Sequence, residues 1–299
     1  MFIYREQIKN IHKFLKPNKV VILFGARRTG KTTLLRQFLN EIRDKKFDSA
    51  FILFLNGDDI YTRQFMETQS VTKLKEFIGN KKLLVIDEAQ YIHGVGLNLK
   101  LIVDHIPNIH VLISGSSSFQ SESDTGEPLT GRKFELRLFP FSQSELASLE
   151  SLDQTSANLE SRLIYGSYPE VVLAESNEIR KAYLNDIMNS YLLKDVLSFG
   201  GLKKSNKLIK LLILLAFQVG KPISVSELAT QLGMSKNTVD RYIDLLEKTF
   251  VIFSLTGFSR NLRKEISKSR KIYFWDCGIR NVLIGNFNPL KLRNDIGEL

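Results

Sequence analysis

An apolar run from Val20 to Phe24 leads straight into the octet Gly-Ala-Arg-Arg-Thr-Gly-Lys-Thr at residues 25–32, and this junction constrains the fold more than any other stretch. A buried strand that ends in a tight glycine turn aims successive backbone N–H groups at one point. The helix that follows adds the positive end of its dipole. The ligand that suits such a nest is polyphosphate. The spacing is a complete G-x-x-x-x-G-K-[ST] phosphate-binding loop, in which Lys31 neutralises β and γ oxygens and the Thr32 hydroxyl ligates Mg²⁺. Gly25 and Gly30 let the backbone come close, and Ala26, Arg27, Arg28, Thr29 and Thr33 complete the nucleotide-binding stretch.

Lys81 to Glu88 reads KKLLVIDE, a second apolar strand running into adjacent carboxylates. An aspartate at such a tip can hold Mg²⁺ through water, and the glutamate after it can polarise an attacking water. Those roles fall to Asp87 and Glu88. A third strand, His110 to Ile113, ends in Ser114 and Gly115, followed by Ser116. A hydroxyl at that edge, Ser114 first, is placed to hydrogen-bond the γ-phosphate or the water, although serine and glycine also make ordinary turns. Arg132 precedes the alternating segment Phe134 to Phe139. It is a candidate arginine finger or a plain surface arginine.

With 299 residues and 43% hydrophobic content, the chain can bury sizeable cores in about two domains. Its one cysteine, Cys277, cannot form an internal disulfide, and Met1 to Asn10 lacks the apolar core of a secretion signal, so a cytoplasmic location is expected. The greasiest stretch, Leu208 to Val219, is 12 residues interrupted by Lys210 and reads as a core helix, not a membrane span. The four histidines share no ligand spacing, and no structural metal is expected. Charge is uneven. Residues 200–299 hold 17 Lys plus Arg against 8 Asp plus Glu, while residues 1–199 hold 25 against 24. Such a field suits a polyanion, and also suits a solvated face that uses lysine.

Strands that alternate with helices from Arg5 to Ile113 predict an α/β fold: a parallel sheet of the P-loop NTPase kind with helices on both faces and nucleotide at the carboxyl ends of the strands. The organisation expected is a nucleotide-binding core over 1–145, a helical lid or linker over 146–204, a helix-turn-helix module over 205–276 and the start of another domain over 277–299. Within the linker, the polar stretch Ser148 to Ser161 reads as loop.

The third segment carries its own pattern. Ser224 to Glu227 fits a helix-capping box, Gly233 turns the chain, and Ser235 can cap a helix whose Val239, Tyr242, Ile243 and Leu246 form one apolar face. Two helices joined by a glycine turn and followed by two strands predict a winged helix-turn-helix. Lys236, Asn237 and Arg241 lie on the outward side of the second helix. Arg260, Arg263, Lys264, Lys268 and Arg270 lie between the strands. A recognition helix uses its N-terminal residues in the major groove and a basic wing grips the backbone. Against DNA stand Asp240 and Asp244, which share part of that helix surface and would repel phosphates. Such modules also serve as packing or dimer elements.

The chain resembles the archaeal and bacterial AAA-type P-loop ATPases in which the ATPase domain precedes a winged helix and an uncharacterised C-terminal domain. The resemblance is carried by GARRTGKTTLL at 25–35, LLVIDEAQ at 83–90, LISGSSS at 112–118, LTGRKFELRLFPFS at 129–142, YGSYPEVV at 165–172 and KIYFWDCGIRNVL at 271–283. It implies ATP and Mg²⁺, supports the roles given to Lys31, Thr32, Asp87 and Glu88, raises Arg132 as the finger, and makes Gln90 a link between hydrolysis and partner binding. Members of that group continue past a segment like NDIGEL into a nuclease-like domain, which is expected to be truncated or missing at Leu299. Three functions stay open. The chain is an ATP-hydrolysing switch or motor acting on duplex DNA or a protein partner, alone or as a homo-oligomer. Alternatively it is a nucleotide-responsive DNA-binding regulator with little turnover, or a small-molecule kinase. Glu88 beside Asp87 favours the first.

Overall fold

The computed structural model describes residues 3–43, 48–116, 128–192, 196, 205–257 and 270–298. It divides into two compact units. One holds Tyr4–Gly25 and Gly30–Leu138, and the other holds Ala26–Thr29 and Phe139–Leu299 with the first three residues.

The first unit is built on a five-stranded sheet. Its strands are β1 (Lys19–Gly25), β2 (Ile52–Asn56), β3 (Leu83–Asp87), β4 (His110–Gly115) and β5 (Lys133–Leu138), in the spatial order β2-β3-β4-β1-β5. All of its ladders are parallel. The crossover and flanking helices are α1 (Gln7–Phe14), α2 (Lys31–Ile42), α3 (Ile60–Met66), α4 (Val71–Ile78) and α5 (Val95–His105).

The three central strands are β-branched and leucine runs with no polar alternation, the pattern of strands covered on both faces. Val21, Leu23, Val85 and Leu112 form one core with Ile8 and Ile11 of α1 and Leu34, Leu35, Phe38 and Ile42 of α2. Their neighbours along the strands, Val20, Ile22, Phe24, Leu84, Ile86, Val111 and Ile113, are buried as well. The expected α/β parallel sheet is therefore the one observed. Its register places β4 between β1 and β3, so that the ends of all three strands meet along one sheet edge.

The second unit is mainly helical: α6 (Gln143–Ala147), α7 (Leu152–Tyr165), α8 (Pro169–Val172), α9 (Asn177–Asp186), α10 (Ser205–Phe217), α11 (Val225–Leu232), α12 (Lys236–Lys248) and α13 (Cys277–Leu283). An antiparallel hairpin of β6 (Ile252–Leu255) and β7 (Lys271–Phe274) lies between α12 and α13. One core joins Ile164 of α7, Leu208 and Leu212 of α10, Val239 and Ile243 of α12, Ile272 of β7 and Ile279 of α13.

The loop expected at Ser148 to Ser161 is corrected here, since most of it is α7. Ser151 accepts from the Gln154 N–H while Gln154 reaches back to the Ser151 N–H, and this reciprocal cap starts a helix whose outward face is polar. Polarity alone misreads such a segment as loop. At the caps expected further on, Ser224 accepts from Glu227 N (3.3 Å) and Ser235 from Thr238 N (3.1 Å), while the Glu227 carboxylate takes Gln231 Nε2 (3.2 Å).

Buried polar groups tie the C-terminal segment down. Asn281 donates to the Leu163 and Ile164 carbonyls (2.9 and 2.8 Å), and Asp295 receives Arg293 Nε and Nη2 (2.8 Å each) together with Arg280 Nη1. Among the described residues no helix is long and apolar enough to cross a membrane.

Candidate functional site

The sheet unit gathers its chemistry at the carboxyl ends of β1, β3 and β4. The chain leaves β1 at Gly25 and re-enters helix at Lys31, with Arg28 and Gly30 both in the left-handed region (φ 63° and 91°). Gly30 immediately precedes α2, at a position where a side chain would be strained. Successive N–H groups in such a turn form an anion-binding concavity at the helix start. Lys31 is buried, and its Nζ donates to the Gly25 carbonyl (2.9 Å), which turns the ammonium back toward the end of β1. Thr33 on the same turn of α2 is exposed.

Thr32 Oγ1 donates to Asp87 Oδ2 at 2.6 Å. A hydroxyl from the loop and a carboxylate from the tip of β3 thus meet, although the two are 55 residues apart. Ser114, at the end of the intervening β4, is fully buried and donates to the other oxygen, Asp87 Oδ1. The same Ser114 Oγ accepts from Glu88 N (3.1 Å), which also approaches Asp87 Oδ1 (3.1 Å). Ser114, a candidate for touching phosphate or water, thus joins the Asp87 carboxylate to the main chain of Glu88.

Glu88 leaves β3 in the left-handed conformation (φ 53°, ψ 43°) and is half-buried. The main chain of Gly57 lies against it: Gly57 N donates to the Asp87 carbonyl (2.8 Å), and a Cβ at position 57 would fall 2.3 Å from the Glu88 carbonyl oxygen. Gly57 was not found from the sequence. Only its place just after β2, whose Asn56 is in register with Asp87, exposes the close approach. Gln90 completes the cluster by donating to Glu88 Oε2 and accepting from Ser116 N (3.1 Å).

The remaining nucleotide-binding candidates, Ala26, Arg27, Arg28 and Thr29, belong to the second unit. There Thr29 Oγ1 donates to the Ala26 carbonyl (2.8 Å), and Arg28 pairs with Glu170 and Asp186 (2.6 Å each).

Arg132 stands apart. It immediately precedes β5, whose Lys133 is in register with Val20 near the start of β1, whereas the loop begins at the end of β1. Five residues of strand, about 17 Å, separate those levels. Arg132 instead grips Asp104 with two bonds, Nε to Oδ1 at 2.7 Å and Nη2 to Oδ2 at 3.0 Å. These bonds hold the Asp104 carboxyl below its usual range. Parallel strands put residues that precede a strand at the edge opposite the loop, and Arg132 lies there, paired with Asp104.

The nucleic-acid candidates on α12, Lys236, Asn237 and Arg241, are exposed. The acidic neighbours on that helix are paired, Asp240 with Arg270 (2.6 Å) and Asp244 with Lys248 (2.9 Å). Arg263 and Lys264, with Arg260 and Lys268, lie outside the described residues.

Residues 17–147 match a family described as the AAA domain. That match covers the residues of the sheet and its phosphate loop. Residues 156–290 match a domain of unknown function. The fold is similar to that of the Walker-type ATPase PABY2304 of Pyrococcus abyssi, with TM-score 0.55 and 16% identity over 94% of this chain and 96% of that one. An uncharacterised protein of Mycobacterium tuberculosis is 28% identical over 97% of this chain and 62% of its own length. One of Haemophilus influenzae is 24% identical over 93% of this chain and 72% of its own. A third, of Methanocaldococcus jannaschii, is 24% identical over 90% and 63%. The chain therefore spans roughly two thirds of the length of these relatives.

The donor set fits the cation that accompanies nucleotide. Thr32 and Asp87 bring a hydroxyl and a carboxylate together, both hard oxygen ligands of the kind Mg²⁺ takes alongside phosphate.

Proposed function

We propose that the chain binds ATP through Gly25–Thr33 and hydrolyses it, and that turnover switches its engagement with duplex DNA. The single observation that carries the hydrolytic half is the meeting of Thr32 with Asp87 at 2.6 Å, beside Glu88 and Ser114. Lys31 supplies a fixed positive charge to the phosphates, and the loop amides supply oriented dipoles. Thr32 and Asp87 would hold Mg²⁺, which neutralises charge on the phosphate oxygens when bound. Glu88 orients the attacking water and accepts its proton. Ser114 keeps Asp87 and Glu88 in mutual register. Arg132 enters this scheme only from a second copy of the chain.

The DNA half rests on the second unit. Helices α11 and α12 with the β6–β7 hairpin are read as a winged helix. Asp240 and Asp244 pair with Arg270 and Lys248, and α12 exposes Lys236, Asn237 and Arg241. The basic balance of residues 200–299 supports a polyanionic partner.

The test is steady-state ATPase measured alone, with duplex DNA and with single-stranded DNA, beside Lys31→Ala. Turnover that Lys31→Ala abolishes, and that duplex DNA raises, supports both halves. Glu88→Gln should bind ATP and retain it; hydrolysis at the parent rate would overturn the assignment of Glu88. Affinity for DNA should fall steeply between 50 and 200 mM salt. A flat response would remove the electrostatic argument.

A further inference from the structure

The main chain of Glu88 is fixed from three sides, by Ser114 Oγ, by Asp87 Oδ1 and by the close-packed Gly57. Its side chain is fixed by a different residue. Gln90, on the short turn Ala89–Tyr91 that follows, has a primary amide with two unlike ends, and each end has a partner that accepts only that end. The carboxylate of Glu88 needs a donor and takes Nε2, while the N–H of Ser116 needs an acceptor and takes Oε1 (3.1 Å). A flipped amide would set oxygen against oxygen and N–H against N–H, so the orientation is unambiguous. Ser116 is itself buried and is the first residue past β4.

We infer that Gln90 is a positioning residue for hydrolysis: its amide ties the Glu88 carboxylate to the main chain at the exit of β4, so that the orientation of Glu88 follows the position of Ser116. This rests on the ATPase reading and adds to it the element that sets the base. An amide suits the place because it offers a donor to the carboxylate and an acceptor to the N–H of Ser116 at once.

The test compares the parent, Gln90→Ala and Gln90→Glu by kcat, equilibrium binding of a fluorescent ATP analogue, and melting temperature. Gln90 is half-buried on a surface turn and Gln90→Glu is nearly isosteric, so both variants should fold. Gln90→Ala should lower kcat by about 10- to 100-fold, the scale of a misplaced catalytic group, with binding within about two-fold of the parent. Gln90→Glu keeps the size but loses the donor to Glu88, and should lower kcat on the same scale with binding again intact. A purely structural role would lower binding, melting temperature and kcat together, and that result overturns the proposal. Parental kcat in both variants overturns it too, while the ATPase reading survives. A parent with no turnover sensitive to Lys31→Ala removes the ATPase reading and the role of Gln90 with it.

Discussion

Gly57→Ala is expected to cripple turnover while sparing nucleotide binding. The added methyl carbon would sit 2.3 Å from the Glu88 carbonyl oxygen, 3.0 Å from its carbon and 3.4 Å from the Asp87 carbonyl oxygen. An ordinary contact begins near 3.4 Å, so the Gly57 and Glu88 main chains must separate by about 1 Å. Neither can move alone. Shifting Gly57 breaks its bond to the Asp87 carbonyl, and shifting Glu88 drags its N–H off Ser114 and Asp87. A 1 Å misplacement of a catalytic group costs about 100-fold in rate, or about 2.7 kcal/mol in the barrier. The phosphate loop lies on β1 and is not touched. The assay is kcat at saturating ATP together with the equilibrium Kd, and Gly297→Ala serves as the control because no atom lies within 4 Å of its added carbon. A Gly57→Ala protein with parental kcat and melting temperature would refute the claim that the Glu88 backbone is held in its working place by this contact.

Three further outcomes are expected. Burial pushes the Asp276 carboxyl up to about 6 against the backbone N–H groups of Ser167, Ile279 and Gly278. The folded protein therefore holds this proton more tightly than the unfolded chain, and the contribution of Asp276 is full below about pH 4 and lost as pH rises through 6. Two pKa units correspond to about 3 kcal/mol, and the difference in urea stability between parent and Asp276→Asn should change by that order across this window. Hydrogen bonds from Arg293 and Arg280 hold the Asp295 carboxyl well below its usual range, so its stabilisation is present above about pH 4 and lost in stronger acid. Asp295→Asn at neutral pH leaves two buried guanidinium groups without their anion and should cost about 3–5 kcal/mol in urea denaturation, and a neutral result would sink the pairing argument. Arg132→Ala should keep the turnover of its own subunit; a loss rescued by mixing with Lys31→Ala protein would place the guanidinium at the site of a neighbouring copy.

The parts of the site legible in the sequence are those written locally. The phosphate loop, the β3 tip with Asp87 and Glu88, and the serine after β4 each announce themselves within about ten residues of chain. What those segments do to one another is set by strand order, which pairs residues tens of positions apart. That β4 lies between β1 and β3, and therefore that Ser114 bonds Asp87, depends on the ladders. Gly57 looks like any turn glycine until Asn56 is in register with Asp87. The choice between finger and surface arginine at Arg132 is open in the sequence for the complementary reason, since a motif's neighbours in sequence do not say which edge of the sheet it occupies. The helix at Leu152–Tyr165 escaped because its outward face is polar, although Ser151 and Gln154 carried the capping signal.

The acidic side chain at the tip of β3 has both oxygens satisfied from within, one by Thr32 and the other by Ser114 and the Glu88 amide, and the Lys31 ammonium rests on the Gly25 carbonyl. Such a locked constellation does not depend on an incoming ligand for its shape. On the proposed reading only Thr32 and Lys31 would exchange partners with nucleotide and its cation, while Ser114 and the Glu88 amide keep their hold on the other oxygen. The scaffold of the acid pair is thus built by the protein alone.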